Sequence, residues 1–326
     1  WSRRSSPFEK YFFDFNPSRH FTCFCLVDRS RVIGHRFIVA NLWYSELMNT
    51  QSYKKSIIKY YRQSGWLYKY FWYSPLSLGM HCGFWDENTK TNDEAIINQF
   101  KYIIKEGKID KNMMVLDAGC GVGGGAIYIA KHTGARSIGI TISPDQVEES
   151  KSNAKKYGVE NLIEFYCMDF MQTSFSDSAF DVVFGIESFC YAYPKGKLLK
   201  EVKRILKPGG ILIINDGYVK KEPNTQKERE LRASLCSGWH MRELIHYLGM
   251  KSLIKEAGFI KIVLKDKANE VRPTLQAINK LVSIFWPLFR LASYLKITQL
   301  QAISDNVQSL ATLAEGDTRG LFGYYS

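Results

Sequence analysis

Three features are missing from this sequence of 326 residues, and each absence excludes a class of protein. The seven cysteines never form a CxxC pair, so the sequence indicates neither a zinc cage nor a disulfide framework. No apolar run reaches the ~20 residues that a membrane-spanning helix needs. Internal repeats and low-complexity segments are also absent. We therefore expect a globular, cytoplasmic protein with reduced thiols and no metal, and leave peripheral contact with a membrane surface open.

The charge is basic, because 44 Lys and Arg residues against 32 Asp and Glu give a formal net charge of +12. Such an excess fits attraction to nucleic acid or anionic membranes, or a solvated surface rich in lysine. The lysines are spread along helical segments rather than grouped in blocks, which favours the solvated surface.

Composition and periodicity divide the chain into four parts. Residues 1–47 show little helical or strand period, and we predict a disordered or non-native extension. Residues 48–110 are predicted to form a helical lid on the substrate side, 111–266 a ligand-binding core, and 267–326 C-terminal helices with a closing strand.

Short apolar runs alternate with amphipathic segments through the core, which indicates a parallel sheet wound by right-handed crossovers. The predicted strands are 113–116, 137–142, 162–166, 180–185, 211–215, 259–265 and 321–325, with a turn at 207–210. The predicted helices are 54–73 with a break at Ser64–Gly65, 91–106, 123–132, 144–157, 195–206, 241–257, 274–295 and 298–314.

The strongest motif is the glycine loop VLDAGCGVGGGA at 115–126, which follows the first strand and opens a helix. Gly119, Gly121 and Gly123 allow a tight turn and a close approach of ligand to backbone. Asp117 precedes them at the strand end. A carboxylate there would repel the phosphates of a dinucleotide, but it suits a ligand that carries an ammonium and a sulfonium. The loop therefore predicts S-adenosylmethionine as the cofactor.

Two further positions fit an adenosyl group. After the second strand, Thr141 stands where an acidic residue usually takes the ribose hydroxyls, so either Thr141 with Gln146 holds the ribose or it is held elsewhere. After the third strand, Asp169 can accept from the adenine amino group and Phe170 can pack near the ring, with loop capping by Asp169 as the alternative. The predicted cofactor-binding residues are Asp117, Gly119, Gly121, Gly123, Thr141, Ile142, Gln146, Asp169 and Phe170.

Together these residues resemble the class I methyltransferases, in particular the sterol 24-C-methyltransferase, tocopherol C-methyltransferase and small-molecule methyltransferase group. The resemblance spans roughly 54–273 and implies an α/β fold: a Rossmann-like seven-stranded sheet with a helical N-terminal lid and a helical C-terminal insertion. The segments that carry it are VLDAGCGVGG at 115–124, GITISPDQ at 139–146, LKPGG at 206–210, GMHCGFW at 79–85 and DKANEVRP at 266–273.

The loop after the fourth strand, IESFCYA at 186–192, bears on the methyl acceptor. Natural-product O-methyltransferases of this group often carry a His base there, and this chain has none. The sterol enzymes have a similar loop with Glu first and Cys at the position of Cys190, which favours C-methylation. The loop also lacks the Asn/Asp-Pro-Pro-aromatic tetrapeptide of enzymes that methylate base amino groups, so we do not expect a nucleic-acid partner.

C-methylation of an alkene requires stabilisation of a carbocation and then removal of a proton, whereas O-methylation requires a base first. Aromatic faces stabilise cations by ~0.5–2 kcal/mol each, and the aromatic-rich segment 60–73 can supply them. The predicted catalytic residues are Glu187, just past strand four where such sheets bind ligands, then His81 of the lid motif, and Tyr191.

The sequence thus predicts a methyltransferase that uses S-adenosylmethionine and acts on a lipophilic small molecule, by C-methylation of an isoprenoid or sterol-like alkene. O- or N-methylation of a natural-product small molecule is the alternative enzyme. A non-catalytic cofactor-binding protein stays open, as does the oligomeric state.

Overall fold

A computed structural model describes residues 50–67, 74–277 and 315–326, with isolated positions at 69, 279–280, 284, 309 and 312–313. These residues belong to the unit Thr50–Ser326. The predicted extension at 1–47, the end of the predicted helix at 54–73, and most of those at 274–295 and 298–314 lie outside the described residues.

Helices and strands alternate through most of the described chain. The helices are α1 (Thr50–Leu67), α2 (Asn92–Gly107), α3 (Gly124–Thr133), α4 (Pro144–Lys156), α5 (Lys195–Ile205), α6 (Gln226–Gly238) and α7 (Tyr247–Glu256), with a 3₁₀ turn at Phe189–Tyr191 and further helical residues at 268–277. The strands are β1 (Met114–Ala118), β2 (Arg136–Thr141), β3 (Ile163–Cys167), β4 (Phe180–Ile186), β5 (Leu206–Val219) and β6 (Phe322–Tyr325).

The strands form one sheet in the order β3-β2-β1-β4-β5-β6. The neighbours from β3 to β5 run parallel, and β6 pairs antiparallel with β5. From β1 the chain adds β2 and β3 on one side and then β4 and β5 on the other, so the order of strand addition reverses between the paired strands β1 and β4. In sheets of this kind the ligand site lies at that reversal, beyond the carboxyl ends of the strands.

Helices cover both faces of the sheet, which explains why its central strands are continuous apolar runs. Successive side chains alternate: Val115 and Val182 pack towards α2 and α3, whereas Leu116 and Val183 pack towards α5 and α7. The central strands are therefore fixed from both sides, and the loops at their carboxyl ends start from rigid positions.

Two predicted interruptions are wrong. Helix α1 continues through Ser64–Gly65, where the Ser64 hydroxyl donates to the carbonyl of Tyr60 at 2.7 Å. The predicted turn at 207–210 lies inside β5, where the pairing with β4 shifts register between Phe180 and Val182. A glycine-rich stretch at this point is accommodated as an irregularity of the strand rather than as its start.

The region after β5 also differs from the prediction. The helix predicted at 241–257 is present from Tyr247 to Glu256 as α7, whereas residues 241–246 are not helical. A further helix, α6 at Gln226–Gly238, precedes it and was not predicted. The predicted strand at 259–265 does not form. Only Asp266, which follows it, pairs with the sheet, through an isolated bridge to Tyr325 of the edge strand β6. Among the described residues the sheet therefore has six strands rather than seven.

Candidate active site

The glycine loop after β1 passes very close to the loop after β4. Gly119 has φ of 102°, and a Cβ on it would lie 2.4 Å from Cβ of Ser188. The Ser188 hydroxyl donates to the carbonyl of Ala118 at 2.7 Å, which fixes the two loops against each other. Gly123, with φ of 92°, is the N-cap of α3, and a Cβ there would meet the Phe165 ring at 2.8 Å. Both positions need glycine because backbone conformation and space exclude a side chain.

A first cavity opens beside this loop, between α1 and the loops that follow β2, β3 and β4, and it measures about 1160 Å³ with its open mouth. Its wall contains eight of the nine predicted cofactor-binding residues: Asp117, Gly119, Gly121, Thr141, Ile142, Gln146, Asp169 and Phe170. The ninth, Gly123, is not in the wall; it is the N-cap of α3 and packs against Phe165. The cofactor roles of these residues stay predictions, but the structure brings the set together.

Asp117 is the buried acid of this cavity, with 5% of its surface exposed. Its Oδ2 accepts a hydrogen bond from the backbone N–H of Ala126 at 3.2 Å. Burial raises the pKa of Asp117 to about 7, against the smaller opposing effect of that hydrogen bond. A buried carboxyl of this kind is stabilised in its ionised form when a cationic group binds next to it.

Thr141 and Gln146 are joined, as the ribose prediction requires if they act together. The Thr141 hydroxyl donates to Oε1 of Gln146 at 2.7 Å and accepts from the backbone N–H of Ser143 at 3.2 Å. Both residues lie in the wall of the first cavity, Thr141 at the end of β2 and Gln146 in the first turn of α4. They offer polar atoms to a ligand, but no carboxylate.

Asp169 fits the loop-capping alternative in part. Its Oδ1 accepts from the backbone N–H of Met171 at 2.8 Å, and its Oδ2 pairs with the ammonium of Lys54 from α1 at 2.5 Å. Lys54 also lines the first cavity and was not predicted as a site residue. An adenine amino group would share this carboxylate with Lys54.

A second cavity lies beyond Glu187 and measures about 1050 Å³ with its opening. Tyr61, Met80, Glu187 and Tyr191 line both cavities and so form the boundary between them. The remaining wall is largely apolar and comes from α6, the helical residues 268–277 and β6: Leu235, Trp239, Met241, Leu244, Val271, Leu275 and Phe322.

Glu187 is the acid at this boundary. It has φ of 47°, a left-handed conformation that is uncommon for a residue other than glycine and that recurs at functional sites. Its Oε1 accepts from the backbone N–H of Cys82 at 2.9 Å. Burial and the nearby charge of Asp216 raise the pKa of Glu187 to about 7, against the opposing effect of the hydrogen bond from the N–H of Cys82.

Asp216, which was not predicted, is a second buried carboxyl in the second cavity. It accepts from the backbone N–H of Cys190 at 2.8 Å and of Gly217 at 2.9 Å, and burial raises its pKa to about 6. Asp216 lies in the carboxyl-end half of β5, one residue after Asn215, the last residue of β5 that pairs with β4. Ligands bind at this edge of such sheets, so the sequence offered a signal for it.

His81 and Tyr191, the other two predicted catalytic residues, are placed differently. His81 is buried in the wall of the first cavity only; its Nδ1 lies 2.7 Å from the carbonyl of Cys82, and burial lowers its pKa to about 4. It is therefore neutral near pH 7. Tyr191 lies on the boundary, where the Tyr61 hydroxyl donates to its hydroxyl at 3.1 Å. The catalytic roles of both stay predictions.

Only the start of the aromatic-rich segment can be placed. Tyr60 and Tyr61 line the second cavity and pack edge to face with ring centroids 5.1 Å apart. Residues 68 and 70–73 lie outside the described residues. Within the described chain, no group of three or more His, Cys, Asp or Glu side chains is placed to hold a metal ion.

The first cavity fits S-adenosylmethionine by its chemistry. A buried acid suits the cationic methionyl end, and the glycine loop beside it turns tightly because Gly119 has no side chain to collide with Ser188. The polar pair Thr141–Gln146 and the ring of Phe170 would suit the ribose and adenine. When bound, the cofactor would supply a methyl group on a sulfonium sulfur.

Comparison with known proteins agrees with this arrangement. A family described as a methyltransferase domain matches residues 116–214. The chain is 28% identical over 227 residues to the sterol 24-C-methyltransferase of Saccharomyces cerevisiae, a match that covers 69% of this chain and 58% of that one. It is 33% identical over 197 residues to a sterol 24-C-methyltransferase of Gibberella zeae, covering 60% of this chain and 50% of that one. The chain thus spans about half the length of these curated relatives.

A solved structure has the same fold. Geranyl diphosphate C-methyltransferase from Streptomyces coelicolor superposes with a TM-score of 0.62 at 16% identity, over 84% of this chain and 95% of that one. By the domain match and the sterol methyltransferase relatives, the chain is similar to class I S-adenosylmethionine-dependent methyltransferases, and the superposition shows that it has their fold.

Proposed function

We propose that this protein transfers a methyl group from S-adenosylmethionine to a carbon atom of a lipophilic alkene, isoprenoid or sterol-like, held in the second cavity. One observation carries the proposal: the Glu187 carboxyl lies on the boundary between a cavity suited to the cofactor and a separate, largely apolar cavity. Two reactants bound on either side would meet at this residue.

The relatives and the cavity chemistry support an uncharged acceptor. The two relatives compared above are named for sterol C-methylation. The second cavity has no Lys or Arg among its described lining residues, but it contains the carboxyls of Glu187 and Asp216, and that of Asp317, which pairs with Arg272. Without a metal ion, Glu187 and Asp216 would repel a diphosphate such as the one that the structural neighbour binds with Mg²⁺, whereas they suit a neutral alkene that becomes cationic.

Bound S-adenosylmethionine would supply the methyl group, its sulfur keeping the electron pair of the broken bond, while the alkene electron pair would form the new carbon–carbon bond. The positive charge then lies on the acceptor, facing Glu187, Asp216 and the ring of Tyr61. A neighbouring C–H bond breaks, its electron pair forms a double bond, and the proton passes to Glu187. A pKa of about 7 suits a group that both stabilises a cation and accepts a proton.

The alternative is O- or N-methylation of a natural product. It has support because a carboxyl with a pKa of about 7 is also a competent base for a hydroxyl or an ammonium. The two reactions differ in product: carbon methylation creates a new carbon–carbon bond, which NMR of the isolated product identifies.

Glu187→Gln tests the proposal directly. Cofactor affinity is measured by titration calorimetry, and methyl transfer to a panel of neutral terpenoids, sterols, phenols and geranyl diphosphate by mass spectrometry. We expect cofactor affinity within about threefold of wild type and turnover reduced about 10²- to 10⁴-fold, the range for loss of a general base. The exposed Glu160→Gln is the matched control. Wild-type turnover in Glu187→Gln would contradict the assignment.

Peripheral contact with a membrane surface belongs to the same proposal, since a lipophilic acceptor partitions into bilayers. Ile260 and Val263 are 82% and 69% exposed, and Lys261 lies between them. Apolar side chains beside lysine favour contact with anionic lipid. No helix in the described part of the chain is long and apolar enough to cross a bilayer. Co-sedimentation with phosphatidylserine vesicles, reduced in Ile260→Ser/Val263→Ser, tests the contact.

A further inference from the structure

Lys195 is a lysine that the fold buries. It is the first residue of α5 and is 4% exposed, whereas Lys200 on the same helix is exposed. Its ammonium donates to the carbonyl of Cys190 at 2.9 Å and to that of Ala192 at 2.7 Å. A positive charge at the amino end of a helix opposes the helix dipole, and a lysine is seldom buried unless it is paired. Burial of this ammonium is therefore unfavourable in itself, and its partners have to offset it.

The two carbonyls belong to the residues on either side of Tyr191, in the turn that follows β4. Tyr191 lines both cavities, and both of its neighbours in the chain are held by Lys195. The carbonyl of Tyr191 itself accepts from the hydroxyl of Tyr53 of α1 at 3.1 Å. Three consecutive carbonyls thus accept from side-chain donors, and one ammonium supplies two of these hydrogen bonds.

Asp216 holds the same turn through a different atom. The backbone N–H of Cys190 donates to Oδ2 of Asp216 at 2.8 Å, while the carbonyl of Cys190 accepts from Lys195. Asp216 and Lys195 also line one small cavity of about 240 Å³ with its opening, which adjoins the second cavity and shares Asp216, Cys190 and Leu244 with its wall. The positive charge of Lys195 lowers the pKa of Asp216 against the effect of burial. The buried ammonium therefore has a carboxylate of opposite charge nearby, and Cys190 is held at both its N–H and its carbonyl.

We propose that Lys195 is a positioning residue, whose buried ammonium fixes the turn at 189–192 and so holds Tyr191 on the boundary between the two cavities. This rests on the proposed function, in which the two reactants meet at that boundary. The start of the loop is anchored by the sheet, because the N–H of Glu187 donates to the carbonyl of Asn215 of β5 at 2.9 Å. Its far end is tied to the rest of the fold through the side chains of Lys195, Asp216 and Tyr53.

Lys195 lines neither the first nor the second cavity, and so lies outside the space proposed for both reactants. Its effect on methyl transfer comes through Tyr191, which lies between them. The transfer requires the sulfonium carbon and the acceptor carbon to be in line, and a misplacement of about 1 Å can lower the rate by up to about a hundredfold. Loss of the ammonium should therefore affect the rate of the reaction rather than the binding of either reactant.

Lys195→Met keeps an unbranched side chain and removes its donors, and the exposed Lys200→Met on the same helix is the matched control. We expect Lys195→Met to lose about tenfold or more in kcat, with acceptor KM within about twofold and cofactor affinity within about threefold of wild type. Lys195→Gln, which keeps N–H donors on a shorter side chain, should recover part of the kcat. All rates are measured well below each variant's melting temperature, where a purely stabilising lysine would leave kcat unchanged. Wild-type kcat in Lys195→Met would overturn the inference.

A second measurement needs no acceptor. 3-Fluorotyrosine is placed at Tyr191 alone by amber suppression, and its ¹⁹F resonance is compared in wild type, Lys195→Met and Lys200→Met. The same probe at Tyr157, the C-cap of α4, is the reference. We expect Lys195→Met alone to shift and broaden the resonance at Tyr191, with the one at Tyr157 unchanged.

The two measurements separate the inference from the proposed function. If no acceptor is methylated but the Tyr191 resonance changes in Lys195→Met, the proposed function fails and the positioning contact stands. If methylation occurs and this resonance does not change, the positioning role fails. Should Lys195→Met not fold by circular dichroism, Lys195→Gln decides by the same spectrum.

Discussion

The two cavities on either side of Glu187 are built in different ways. The wall of the first comes largely from loops that directly follow β1, β2, β3 and β4, so its residues sit within short motifs of the sequence. The wall of the second joins α1, the loop after β4, β5, α6, residues 268–277 and β6, which are far apart along the chain. The first cavity is therefore tied to the parallel sheet, and the second depends on how elements outside the sheet pack. Substitutions in the two should affect different measurements.

The largest effect is expected at the glycine loop. Gly119→Ala places a Cβ 2.4 Å from Cβ of Ser188 in a backbone conformation with φ of 102°. We expect cofactor binding to become undetectable by calorimetry and the melting temperature to fall. Gly158→Ala is the control for backbone strain alone. Gly158 also has a positive φ, of 68°, but no atom lies within 4 Å of its Cβ position, so alanine there collides with no side chain. The control should cost only about 1 kcal/mol in stability, with cofactor affinity unchanged. An equal loss of cofactor affinity in Gly119→Ala and Gly158→Ala would contradict a role of Gly119 in shaping the cofactor site.

The next effect is expected at Asp117. If the ionised carboxyl binds the cationic end of the cofactor, Asp117→Asn should weaken cofactor affinity by about a hundredfold. The free protein has a raised pKa of about 7 at this residue, so protons compete with the cofactor below that pH. The wild-type dissociation constant should therefore rise as pH falls from 7 to 5, towards tenfold per pH unit. Calorimetry across this range checks both points, with the exposed Asp110→Asn as control. A pH-independent wild-type affinity would exclude the carboxylate as the binding group.

Asp216 tests the second cavity. Asp216→Asn keeps the shape but removes a charge that would face the acceptor cation, so we expect turnover to fall about tenfold with cofactor affinity unchanged. Its pKa of about 6 means that it is ionised at pH 7.5 and largely protonated at pH 5. The difference between wild type and variant should therefore shrink as pH falls. A change in cofactor affinity instead would show that the two cavities are not functionally separate.

The contrast between the cavities also explains what the sequence could predict. Glycine spacing, the acid at a strand end and the alternation of strands and helices are local patterns, and they located Asp117 and Glu187 with the sheet around them. Lys54 has no local signal, because its position in the cavity wall comes with an ion pair to Asp169, which is distant in sequence. Asp216 could have been predicted as a site residue, because it directly follows the apolar run 211–215 at the edge of the sheet where ligands bind.

The errors in the fold have the same origin. The segment 259–265 has the composition of a strand, but the structure gives it only the bridge of Asp266 to Tyr325 at the sheet edge. Helix α6 was missed because polar residues outnumber apolar ones in it, although its capping box, Thr225 with Glu228, is a local signal for a helix start. In the segment 259–265 tertiary packing decides the outcome, and local patterns cannot report it.

The smallest effect is expected where α1 meets the first cavity. Lys54 pairs with Asp169 at 2.5 Å with both side chains partly buried, whereas Arg62 pairs with Asp145 at 2.8 Å with both largely exposed. Lys54→Met should weaken cofactor affinity about threefold, within the range of a surface ion pair, and Arg62→Met should leave it unchanged. Because the first pair lines the cavity, the wild-type affinity should fall with added salt more steeply than that of Lys54→Met. A tighter-binding Lys54→Met would instead show that Lys54 competes with the adenine amino group for Asp169, which would make α1 a barrier to the cofactor rather than part of its binding site.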